Sequence, residues 1–244
     1  MGSVSEWRPD ILRRTVVRKV RQIGVAGALR HGIEKLLRDL RKAFVFKGLS
    51  PDPFDSRYGT DTALIVSVGA LDIASNKVEH SNRYEAVAPE AFHAIMRDLP
   101  IAHEEFIFID IGAGKGRALL LAAKFPFQQI VGVDISERLT QIALNNIRLF
   151  SDETQQCHEI RVICKDAASY ELPLSKTVLY LYNPFDEHVM KTVLTNIERS
   201  LNACPRKIYV AYQQYLHRSL WDRSDYFQLI KKTDTCLLYE TRSF

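Results

Sequence analysis

FIFIDIGAGKGR, residues 106–117, is the stretch that decides the fold. An apolar run suited to a buried strand closes on Asp110, glycines follow at 112, 114 and 116, and an Ala- and Leu-rich segment begins. That segment predicts a helix near 115–125, ended by Pro126. A second apolar run, IVGVD, closes on Asp134. Strand, glycine turn, helix and a second strand ending on an acid open a nucleotide-binding α/β unit. Gly112 and Gly114 allow a sharp backbone turn with no Cβ between chain and ligand. Gly116 is expected to let the helix pack closely on the strand it has just left. Asp134, as an ionised carboxylate, offers two oxygens to the two hydroxyls of a ribose.

Outward from this unit the chain alternates. Strands are predicted near 106–111, 129–133, 159–164, 177–182 and 207–213, and helices near 115–125, 136–150 and 186–201. Leu139, Ile142, Ala143, Ile147 and Phe150 share one face of the second helix, with Ser136 as its N-cap. Val189, Val193, Leu194, Ile197 and Leu201 do the same in the third. In the tail, two β-rich segments flank a Lys-Thr-Asp-Thr turn. Upstream, Pro89 suits the first turn of a helix whose apolar face is Phe92, Ile95, Met96 and Leu99. Alternation of this kind predicts a doubly wound, mostly parallel α/β sheet.

The glycine spacing separates cofactor classes. Dinucleotide sites use G-x-G-x-x-G with a helix N-terminus aimed at a pyrophosphate. Here the run is Asp-Ile-Gly-Ala-Gly-Lys-Gly. Asp110 would repel a pyrophosphate and suits a cofactor with a cationic amino acid portion. The pattern resembles the first motif of class I S-adenosylmethionine-dependent methyltransferases, and the resemblance extends through most of residues 84–244. It implies a seven-stranded sheet, parallel except for its last strand, and S-adenosylmethionine as cofactor.

Position by position, the resemblance implies that Asp110, Gly112, Ala113, Gly114 and Gly116 surround the amino acid half of that cofactor. Asp134 would hold the ribose, with Ile135 covering the adenine. Asp166 and the Ala167 amide would reach the adenine ring, although Asp166 also reads as an ordinary N-cap. Tyr84-Glu85 resembles a loop that closes over the methionine portion in several protein-lysine methyltransferases. Asn183-Pro184-Phe185 follows the fourth strand, where amino-group methyltransferases carry an Asp/Asn/Ser-Pro-Pro-aromatic tetrapeptide. In those, the Asn oxygen and a backbone carbonyl accept the target hydrogens and the ring stacks on the target. This chain has one proline, not two, which departs from the adenine- and glutamine-specific pattern, and Phe185 also reads as core. Tyr84, Glu85, Tyr182 and Tyr212 are candidates to accept a proton. Lys115 and Arg117 read either as solvent-facing or as attracting an acidic substrate. The resulting expectation is transfer to a nitrogen of a protein side chain. Open alternatives are a small-molecule or saccharide oxygen, a nucleic acid, or a module that binds the cofactor and transfers nothing.

Bulk properties narrow the rest. The chain has 244 residues, 46% of them hydrophobic, enough for one full core. Its net charge of +4 is uneven. Residues 1–50 hold twelve Lys/Arg against four acids, about +8, so the remainder is near −4. These fifty residues read as amphipathic helices broken near 24–32. They form a basic helical extension for an anionic partner, or one that packs its apolar face on the catalytic domain, 51–244. Residues 50–62 read as a turn-rich boundary in which Pro51 and Pro53 forbid regular helix, with Phe54 and Tyr58 lining an entrance or pinning the extension. A short strand-like stretch follows at 63–73. The four cysteines lack paired spacing, so reduced thiols in a cytoplasmic protein are expected; the seven histidines show no ligand spacing either, so no metal is expected, and the chain is read as a monomer or weakly associated. No run is long enough to span a membrane.

Overall fold

The computed structural model describes residues 52–64, 66, 84–182 and 184–242. The expected helices of residues 1–50, most of the strand at 63–73 and Asn183 lie outside the described residues.

Five strands enter a parallel array in the predicted places: β1 (Ile107–Ile111), β2 (Gln129–Asp134), β3 (Ile160–Cys164), β4 (Thr177–Tyr182) and β5 (Ile208–Gln213). The chain closes with a hairpin of β6 (Phe227–Lys232) and β7 (Cys236–Thr241). The sheet order is β3-β2-β1-β4-β5-β7-β6, with β7 antiparallel to both its neighbours. The expected seven-stranded, mostly parallel sheet is therefore present. The order reverses at β1/β4, since β1 leads outward to β2 and β3 on one side and β4 starts the other. In open α/β sheets that switch point, at the carboxyl ends of the strands, is where ligands sit.

Helices cover both faces, which is why β1 is buried along its whole length and β4 up to its last residue, with mostly apolar side chains on both faces rather than an alternation. Phe106 and Phe108 point to one core, and Ile107, Ile109 and Ile111 to the other. On the first face lie α2 (Pro89–Asp98), α3 (Arg117–Ala122) and α4 (Glu137–Leu149). Phe92 packs edge-on against Phe108 and Tyr180, with ring centroids 5.8 and 5.3 Å away. Each such buried ring stabilises the fold by roughly 1.5–3 kcal/mol. On the second face lie α5 (Glu187–Ala203) and α6 (Arg218–Asp222), with Trp221 fully buried beside Phe227 and Tyr239. Capping follows the sequence: Ser136 accepts from the Leu139 amide, and Asp186 from the Val189 amide.

Three local expectations are corrected. Residues 50–62 do not exclude helix, because Pro53–Tyr58 forms α1. Pro53 stands in the first turn, where its missing N–H costs nothing, and Asp52 caps it by accepting from the Asp55 amide. Next, α3 spans only Arg117–Ala122, because Gly116 enters it in a left-handed conformation and the chain turns before Pro126 is reached. Finally, the close approach at Gly116 is to α4 rather than to β1: an added Cβ would lie 3.1 Å from the Ala143 Cβ.

Candidate active site

The glycine motif leaves β1 at the switch point. Gly112 and Gly114 have φ of +88° and +54°, which L side chains rarely adopt. Two protein groups use the missing Cβ atoms. A Cβ on Gly112 would overlap Pro184, in the loop after β4, and one on Gly114 would overlap the ring of Tyr84. The tight turn thus brings Tyr84 and Pro184 against the loop, although both are far from it in sequence.

Asp110 is 3% exposed at the end of β1. Burial, reinforced by the nearby negative charge of Asp134, pushes its carboxyl well above the ordinary range. A cationic group arriving there would relieve that cost, which is the fit expected for the ammonium of an amino acid. Asp134 accepts from the Gly114 amide through one oxygen (2.8 Å) and from the Ser136 amide through the other (2.9 Å). These bonds fix the carboxylate at the tip of β2, and each oxygen of an ionised carboxylate can accept a second hydrogen. Ile135 follows, half-buried. Asp166 caps a single 3-10 turn, Ala167–Ser169, by accepting from the Ala168 amide at 2.9 Å. Its N-cap role is thus real. The carboxyl ends of β1, β2 and β3 together bring Asp110, Gly112, Ala113, Gly114, Asp134, Ile135, Asp166 and Ala167 to one edge of the sheet.

On the other side of the glycine loop, β4 ends at Tyr182, whose hydroxyl accepts from the Gln214 carboxamide at 2.8 Å. Gln214 is the one non-glycine with positive φ among the described residues (+50°), an unusual backbone held at a sheet edge. Phe185 is buried with the second core, under the loop it follows. Tyr212 is buried too. Burial raises its pKa, and its hydroxyl accepts from the His217 amide at 3.2 Å. Glu85 is half-buried next to Tyr84.

Lys115 and Arg117 neither face solvent nor wait for an acidic substrate. They are 2% and 5% exposed and are paired inside the protein. Lys115 Nζ lies 2.8 Å from Asp61, and the Arg117 guanidinium reaches Asp52 at 2.7 Å and Asp55 at 3.7 Å. Arg117 Nε donates to the Thr62 hydroxyl at 2.7 Å. Burial raises the Asp52 pKa, but the Arg117 guanidinium and the amides of Asp55 and Phe54 outweigh it and hold it below its ordinary value. Asp55 is the hub of the segment. It accepts from the Thr60 hydroxyl, the Thr62 amide and hydroxyl, and the Ala63 amide, all within 2.6–2.9 Å. Asn146 of α4 adds a staple, accepting from the Asp61 amide and donating to the Asp61 and Lys115 carbonyls, each at 2.9 Å. Hydrogen bonds to charged groups contribute about 1.5–3 kcal/mol each. Residues 52–63 are therefore built into the glycine motif, a role that reading them as a boundary missed. The available signal was a run of Asp and Thr around and after two prolines, matched by two cations at an otherwise apolar helix start.

Phe54 and Tyr58 hold α1 to the same body. Their rings meet Phe150, and Tyr58 donates to Asp152, which also pairs with Lys124 at 2.8 Å. Burial raises the Asp152 pKa, yet its bonds from Lys124, Thr154 and Tyr58 prevail and lower it far below the ordinary carboxylate range.

A family model described as "Putative methyltransferase" matches residues 104–192, which contain the glycine motif and the loop after β4. Among solved structures, the chain is similar to a ribosomal protein L11 methylase from Lactobacillus delbrueckii subsp. bulgaricus. The identity is 15%, covering 63% of this chain and 77% of the other, with a TM-score of 0.44. It is similar to a magnesium protoporphyrin IX methyltransferase from Synechocystis PCC 6803 with bound S-adenosylmethionine, at 12% identity over 63% and 77% of the chains and a TM-score of 0.45. A 23S rRNA methyltransferase, ErmE, matches at 12% identity over 64% and 69%, with a TM-score of 0.43. No curated protein sequence matches this chain significantly.

Proposed function

We propose that this chain is a class I S-adenosylmethionine-dependent methyltransferase and that it methylates a nitrogen of a protein side chain. The observation that carries the reading is the contact of Pro184 with Gly112. It sets Pro184, of a sequence motif that resembles that of amino-group methyltransferases, on the glycine loop. When bound, the cofactor supplies a methyl group already activated by its sulfonium. The protein's contribution is then alignment and charge.

In this reading Asp110 faces the ammonium, and Gly112, Ala113, Gly114 and Gly116 shape the bed of the amino acid half. Asp134 holds the ribose hydroxyls. Ile135, Asp166 and the Ala167 amide frame the adenine, and Tyr84 and Glu85 close over the methionine portion. The Asn183 oxygen accepts a hydrogen from the target nitrogen, turning its lone pair toward the methyl carbon, and Pro184 stiffens that loop. Phe185 supports the loop from the core side. A protonated amine must lose a proton first, and Tyr182, which ends β4 just before the loop, is a candidate to relay it. The single proline and the Tyr-Glu pair favour a protein target over a nucleobase. Residues 1–50, as a basic helical extension to the 51–244 domain, would meet an anionic region of that partner. The free thiols support a reducing compartment, hence the cytoplasm. No helix among the described residues is long and apolar enough to cross a membrane.

Incubation with methyl-labelled cofactor and cell extract tests the substrate class. Label that survives nuclease and is released by protease is expected. Label in RNA, or in a small-molecule fraction only, would replace the protein reading. Asn183→Ala should lower transfer at least 100-fold while leaving cofactor affinity within about two-fold.

A further inference from the structure

The Asp52–Ala63 segment connects to the cofactor loop by a second route besides the ion pairs. The Tyr84 hydroxyl donates to the Thr62 carbonyl at 2.6 Å, and the Tyr84 amide donates to the Val66 carbonyl at 3.2 Å. Thr62 is fully buried. Its amide and hydroxyl both donate to Asp55, and its hydroxyl also accepts from Arg117. Its carbonyl therefore has little freedom, and neither has the ring that hangs from it. The Tyr84 ring lies flush on Gly114, with the Lys115 ammonium 5.8 Å from its centroid. Gly114 in turn donates its amide to Asp134.

We propose that Asp55 is a positioning residue for cofactor binding. Asp55 fixes Thr62, Thr62 fixes Tyr84, and the Tyr84 ring holds the Gly114 turn in the shape that receives the amino acid half of S-adenosylmethionine. The proposal rests on the reading that the glycine loop beds that half of the cofactor. It adds that residues 52–63, although outside the glycine motif, belong to the site. Arg117 and Lys115 act through this strap and not on substrate.

The preparation of cofactor-binding geometry by a remote carboxylate predicts a selective loss. Calorimetry on the full chain would compare S-adenosylhomocysteine, which carries the amino acid half, with 5′-methylthioadenosine, which lacks it. Tyr84→Phe keeps the ring and removes only the bond to Thr62. It should weaken S-adenosylhomocysteine about 5–10-fold and leave methylthioadenosine within two-fold. Asp55→Asn should do the same, and the double variant should be no worse than either single one, because both act along one path. Equal losses for the two ligands, additive losses, or unchanged affinity in folded Tyr84→Phe would each overturn the proposal. If Asp55→Asn fails to fold, Tyr84→Phe alone decides through the same ligand pair. Folded wild type that binds neither ligand would instead sink the cofactor reading, and the proposal with it.

Discussion

Two segments meet at the carboxyl edge of β1, Asp110–Arg117 and Asp52–Ala63, and they differ in how they earn their conformation. The first is dictated by neighbours in sequence: an apolar strand must end, three glycines permit positive φ, and a helix must start. The second has no periodic pattern. It is held by Asp55, which gathers Thr60, Thr62 and Ala63 within the segment, and by Asn146 and Arg117, which reach it across long stretches of chain. Residues with local rules can be read singly, whereas residues held by a network acquire meaning only when the partners are brought together.

The contrast can be broken at either segment, and the largest effect is expected at the glycine turn. Gly114→Ala forces a Cβ into the Tyr84 ring at a φ of +54°, and both insults act together. A loss of about 3 kcal/mol in stability is expected. Cofactor binding by calorimetry should fall below detection. Retained affinity would mean that the turn tolerates a side chain and that Tyr84 is not seated on it.

Arg117→Met tests the strap. It leaves the Asp52 and Asp55 carboxylates facing a buried apolar side chain, and about 2–3 kcal/mol should be lost in denaturant unfolding. Arg117→Lys should recover only part of this, since a lysine cannot present the fork that now bridges Asp52 and Thr62. Full recovery by lysine would reduce the strap to simple charge balance.

A smaller effect concerns Asp152, which ties α1 to Lys124. Its folded pKa is depressed, so the stability it contributes is complete above the unfolded value near 3.8 and is lost as pH falls through the folded one. The gap in unfolding free energy between wild type and Asp152→Asn should therefore stay flat from about pH 5 to 8 and narrow below about pH 4. A gap that narrows already at neutral pH would assign the link to another group. The smallest change is expected at Gln214→Gly, which relieves the positive φ at the end of β5 but loses the bond to Tyr182. The two terms, each near 1 kcal/mol, should leave the melting temperature within a few degrees.

The layout of strands and helices was legible because burial on both faces makes the central parallel strands mostly apolar, and helical faces repeat regularly. Ser136 and the Lys-Thr-Asp-Thr turn were legible for the same local reason. Pro53 was misread because the same residue breaks a helix interior and starts a helix, and Asp52 decides between them. Lys115 and Arg117 were misread because a cation at a helix start normally faces water. Only the opposing acids of a remote segment make burial affordable.

The amino acid order by itself set the α/β class, the glycine turn, the acids that close β1 and β2, and the cofactor they suit. Each of these follows from short-range sterics and burial periodicity. Tertiary structure alone decided that Tyr84 and Pro184 would occupy the spaces left by two glycines, and that Asp55 would anchor the strap. Contacts between residues distant in sequence depend on the complementarity of packed surfaces, and no local pattern encodes that.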